Sequence, residues 1–137
     1  MLAQSFKAAE DLGLTDLQYD ALRQTLVAME TGLVEHVKVD QMKTRRAGTV
    51  RGVIGKFNMA FWRANMRCGT VACLGGTAEM ISGTKPGTLF GSLTSPALHE
   101  LFHPSGGFEW ENISVDQAAR ALRNYLTTGE PNWEEAL

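Results

Sequence analysis

Long apolar runs are missing from this 137-residue sequence. None approaches the roughly 20 residues that a membrane-spanning helix requires, so no contact with a membrane is expected. Cysteine is scarce as well. Cys68 and Cys73 are the only two, too few for a disulfide framework, and both are expected to stay reduced in a cytoplasmic protein. Residues Met1 to Lys7 carry neither the basic start nor the apolar stretch of a secretory leader. Internal repeats, low-complexity stretches and a composition break are also lacking, which points to one helical domain over residues 1–137.

What is present is ordinary globular material. Hydrophobic residues make up 44% and charged residues 20%, enough to bury a core and too apolar for a disordered chain. The net charge of −2 conceals a division. Residues 38–67 hold eight basic side chains (Lys38, Lys43, Arg45, Arg46, Arg51, Lys56, Arg63 and Arg67) against one acid, Asp40. The remainder holds five basic and fourteen acidic residues. Such a block speaks to partners rather than to fold.

The pattern predicts an all-α fold in the main, a compact bundle of about five helices. Thr15-Asp16-Leu17-Gln18 reads as a capping box. Behind it Leu17, Ala21, Leu22, Thr25, Leu26 and Met29 make one stripe at helical period, stopped at Gly32. Residues 44–55 read as a basic loop or a short β element, and Phe57 to Met66 as a helix. Gly69 to Ser82 carries small residues at Gly69, Ala72, Cys73, Gly76 and Ala78. That segment reads as a buried helix crossing another closely, with a strand over Thr70–Leu74 and a Gly-Gly turn as the competing reading. Two glycines inside a helix cost roughly 1 kcal/mol each relative to alanine, so close packing should be why they are there. Ser95-Pro96 opens a short helix that Pro104 ends. Ser114-Val115-Asp116-Gln117 is a second capping box, its helix stopped by Gly129, and the Trp133 indole is expected to fold back on the core.

The sharpest chemical motif is His99-Glu100-Leu101-Phe102-His103. On a helix, histidines four apart lie on one face and can share a zinc ion, with Glu100 as general base on bound water and Glu109 or Glu111 as third ligand. Against this, Pro104 follows at once and the metzincin extension is absent. Cys68 and Cys73 could join His99 and His103 in a Cys2His2 structural site, although Cys73 reads equally as a small core residue. Cys68 follows Arg67 and precedes a predicted helix start, both of which lower a thiol pKa, so it is a candidate nucleophile. Phe57, Phe61 and Trp62 at the end of the basic segment suit stacked bases and phosphates, or else enter the core.

Phe57-Asn58-Met59 followed by Cys68-Gly69-Thr70-Val71-Ala72-Cys73-Leu74-Gly75-Gly76 resembles a group of small uncharacterised bacterial and phage proteins with an F-x-M…C-G-T-x-A-C-x-x-G segment. Ala118-Ala119, Thr128-Gly129 and Trp133 resemble the C-terminal part of the same group. The resemblance covers about residues 55–135 and brings no established activity. It implies that Cys68, Gly69, Thr70 and Cys73 form one local unit, and its pattern does not include His99 or His103.

Together these readings favour a regulatory or accessory protein that binds a macromolecule, of bacterial or phage origin, over an enzyme. The expected partner is another protein, with nucleic acid through residues 38–67 and a second copy of the chain as further options. The expected contact residues are Lys43, Arg45, Arg46, Arg51 and Lys56, and no cofactor is expected. The enzymatic alternative is a zinc-dependent hydrolase built on His99, Glu100 and His103.

Overall fold

The computed structural model describes residues 6–37, 55–60, 62–66, 69–85, 87–90, 95–107 and 109–137. The chain is mainly helical, as expected. Five α-helices lie among the described residues: α1 (Asp16–Glu30), α2 (Leu74–Ser82), α3 (Pro96–Phe102), α4 (Val115–Thr128) and α5 (Trp133–Ala136). Short 3-10 turns cover Glu10–Leu12 and Trp110–Asn112.

The helix ends follow their local chemistry. Before α1, the Thr15 hydroxyl accepts from the Gln18 amide at 3.1 Å and the Gln18 side chain accepts from the Thr15 amide at 3.0 Å. Ser114 and Gln117 repeat the exchange before α4. Ser95 caps α3 with Pro96 in its first turn, and that helix ends at Phe102, two residues short of Pro104. Gly129 ends α4 at φ 89°, a conformation that costs a residue with a Cβ. The α1 stripe faces inward at Ala21, Leu22, Thr25, Leu26 and Met29, but Leu17 in its first turn is 52% exposed. The helix enters the core only after its capping turn.

A four-stranded sheet among the described residues accompanies the expected helices and goes beyond the single short β element foreseen. Strands β1 (Val34–His36), β2 (Gly55–Phe57), β3 (Arg63–Met66) and β4 (Gly69–Ala72) lie in the order β1-β2-β4-β3. The first three in that order run parallel, and β3 pairs antiparallel with β4, Met66 opposite Gly69. The helix expected over Phe57–Met66 is therefore the end of β2, a turn and β3. Asn58 explains the break. It is fully buried, its side-chain NH2 donates to the Val37 carbonyl at 2.9 Å, and its Oδ1 accepts from the Ala60 amide at 2.8 Å. A side chain that satisfies its neighbours' backbone in this way competes with the helix. The expected helix over Gly69–Ser82 is likewise a strand followed by a helix, divided at Cys73. Gly55 opens β2, and the rest of the 44–55 segment lies outside the described residues.

One contiguous apolar cluster holds these elements together, drawn from α1, α2, α3, α4, α5 and the sheet. Helix α1 packs on α2 and α4, while α2 also meets β2 and β4, and α4 meets β1. The Trp133 indole is buried and donates to the Glu100 carbonyl at 2.9 Å, which docks the C-terminal helix on α3.

Candidate functional site

Trp62, in the turn between β2 and β3, is the centre of the polar and aromatic chemistry. Its ring meets Phe102 edge-on at 5.4 Å and Phe90 at 6.4 Å, and it stacks on His103 at 6.2 Å. The glycine pair of α2 makes room for it. A methyl group built on Gly75 falls on the six-membered ring of the Trp62 indole, and one built on Gly76 falls on the Trp62 carbonyl oxygen. Close packing is thus the reason for the two glycines.

Glu79, on the same helix, has no solvent exposure. Its Oε1 accepts from the Trp62 indole N–H at 2.6 Å and from the Gly87 amide at 3.0 Å, and its Oε2 accepts from the Leu89 amide at 3.0 Å. One buried carboxylate therefore joins the β2–β3 turn, α2 and the loop at residues 87–89. Sequence reasoning missed it. The available signal was an acid standing alone in the apolar stretch from Val71 to Ile81, which has to find donors once buried.

His99 is exposed, and His103, partly buried, is the C-cap of α3. Their rings lie 4.9 Å apart, tilted by 45°, and His103 also faces Trp110 at 5.9 Å. Burial, then the neighbouring His99, holds His103 below the usual histidine range. Glu100 is engaged elsewhere. Its two carboxylate oxygens accept from the Ser105 amide and hydroxyl, both at 2.7 Å, which fastens the turn after Pro104. Glu109 accepts from the Asn112 side chain, and the Glu111 carbonyl bonds the His36 Nε2 at 2.8 Å. The two histidines thus come together while the base and the third ligand do not. Among the described residues no three His, Cys, Asp or Glu side chains are grouped to hold a metal ion.

The place of Cys73 bears on the Cys2His2 reading, whose other cysteine, Cys68, lies outside the described residues. Cys73 is buried at the N-cap of α2, with its Sγ 3.8 Å from the Trp62 carbonyl oxygen, and it forms no such group with His99 and His103. Burial pushes its thiol up to about 11, and the Gly75 and Gly76 amides oppose that only in part. A protonated, enclosed thiol is a poor nucleophile and a poor ligand. Cys68, the candidate nucleophile, lies outside the described residues, as do Lys43, Arg45, Arg46 and Arg51. Lys56 is in β2. Phe57 is fully buried beside it, Trp62 is partly buried and packed against the core, and Phe61 lies outside the described residues.

No protein-family model matches the chain, and neither a curated protein nor a solved structure does.

Proposed function

We propose that the chain is a binding module for a macromolecular partner, an acidic protein, with no covalent step of its own. The observation that carries this reading is the charge division. The basic block of residues 38–67 supplies the connection between β1 and β2 and then the edge strand β3. Eight basic side chains against one acid would attract an acidic partner, gaining association rate and specificity from charge complementarity. The full burial of Phe57 and the packing of Trp62 against Phe102, His103 and Gly75 favour a protein over a stacked nucleic acid, because base stacking needs exposed rings. The engagement of Glu100 with Ser105 favours binding over zinc-dependent hydrolysis.

The test is a double charge reversal, Arg45→Glu with Arg46→Glu, in the full chain. Affinity for acidic protein probes, read by fluorescence anisotropy at two salt concentrations, should fall about tenfold or more in the variant and weaken with salt in the wild type. Unchanged affinity removes the basic block from the interface. A steep salt dependence for single-stranded DNA or RNA, with no binding of acidic protein, would replace the partner class. Stoichiometric zinc in untagged protein, lost in a His99→Ala/His103→Ala variant, would put the hydrolase in its place.

A further inference from the structure

The outer side of α1 carries a groove that neither the charged segment nor the histidine pair uses. It has a volume of about 520 Å³, and its apolar lining comes from Phe6, Leu26, Val27, Ala28, Leu33 and Ile81. This is within the usual range of small-molecule sites, which are apolar with a few polar groups that fix orientation. Val27 is 59% exposed there, one of the few large hydrophobic side chains left in solvent among the described residues.

The polar groups on the rim are committed to one another, with one exception. Gln24 donates to Asp20 at 2.7 Å. Arg123 grips Glu30 with two parallel bonds of 2.9 and 2.7 Å. Arg23 has neither an ion pair nor a hydrogen bond among the described residues. Its guanidinium lies over the Phe6 ring at 5.9 Å and the Tyr19 ring at 5.6 Å, and Tyr19 is itself tied through its hydroxyl to the Lys7 carbonyl at 2.6 Å. Two aromatic faces thus hold a cation at the mouth of an apolar groove with its N–H donors uncommitted. Guanidinium donors are shaped for carboxylate-like anions.

We infer that this groove binds a small amphiphile with an apolar body and one anionic group, the body on Val27 and Leu33 and the anion on Arg23. A neutral apolar molecule would leave the arginine unused. A second anionic group would add to the repulsion from Asp20 and Glu30, which also line the groove.

The test uses the full chain and 1-anilinonaphthalene-8-sulfonate, an aromatic monoanion that fluoresces on leaving water. Decanoate and decan-1-ol, matched in chain length, serve as competitors below their aggregation limits. Wild-type protein should enhance the fluorescence, and decanoate should displace the dye at a concentration about two- to fivefold below that of decan-1-ol, the size of a solvent-accessible ion pair. Arg23→Gln, a change at an exposed position, should abolish that preference and leave decan-1-ol unaffected. Val27→Asp, also exposed, should weaken both competitors about tenfold. Thermal unfolding of each variant establishes that it is folded. Equal displacement by the two competitors, a preference that survives Arg23→Gln, or no enhancement with natively folded wild type would each overturn the assignment.

Discussion

Glu79 shows how much one side chain can organise. Its carboxylate takes three N–H donors that lie 17, 8 and 10 residues away in the chain. Removing the group leaves the buried Leu89 amide, and the part-buried Trp62 indole and Gly87 amide, without their acceptor, and orphaned donors are expensive. Glu79→Ala should destabilise the fold by about 3 kcal/mol in urea unfolding. Glu79→Gln should cost less, because one oxygen acceptor remains while the amide nitrogen faces another donor. A Glu79→Ala midpoint equal to wild type would mean that the three bonds contribute nothing net. The lone acid among apolar neighbours is visible in the sequence, but its partners are not, since nothing in the local pattern points from Glu79 to Trp62. The same limit applies to His99-Glu100-Leu101-Phe102-His103. The i, i+4 pairing of the histidines is legible, and the capture of Glu100 by Ser105 depends on the turn that Pro104 imposes.

For the elements, legibility follows the range of the interactions that define them. The ends of α1, α3 and α4 are read correctly because capping serines and threonines, Pro96 and Gly129 act within four residues. Strand β3 is misread because the run Phe57–Met66 is too short for its apolar spacing to separate helix from strand, and pairing with β4, which overlaps the competing strand reading over Thr70–Leu74, decides the matter. Helix α2 is the instructive mixture. Its glycines are visible and their packing role can be anticipated, yet the occupant of the space, Trp62, comes from another turn. This inverts a general expectation. Gly→Ala within a helix normally stabilises by up to about 1 kcal/mol. Gly76→Ala should instead destabilise by about 2–3 kcal/mol, since the methyl group meets a backbone carbonyl that cannot rotate away. The change in melting temperature checks the sign directly, and a stabilised variant would show that Trp62 does not press on α2 in solution.

The whole molecule should carry a mild acid sensitivity centred on α3. Burial and His99 hold His103 below its ordinary value of 6.5. The unfolded chain therefore takes up this proton more readily than the folded one. The corresponding stability is fully present above pH 6.5 and is lost as the pH falls through 6.5 towards the lower folded value. Melting temperature should fall between pH 7 and pH 5, and His103→Phe, which keeps a ring between Trp62 and Trp110, should flatten that part of the profile. An unaltered slope in the variant would locate the acid sensitivity elsewhere.

Also at this scale, the charge division and the mainly helical character are plain in the amino-acid order, because both are sums over residues and turns that need no distant partner. So are the two capping boxes, whose bonds close over three residues. The strand order β1-β2-β4-β3, the packing of Trp62 on the α2 glycines, the burial of Glu79 and the free guanidinium of Arg23 above its groove exist only once distant segments meet. Each of them depends on which segment fills the space beside another, a condition that close packing imposes on the folded chain as a whole and that no local run of residues encodes.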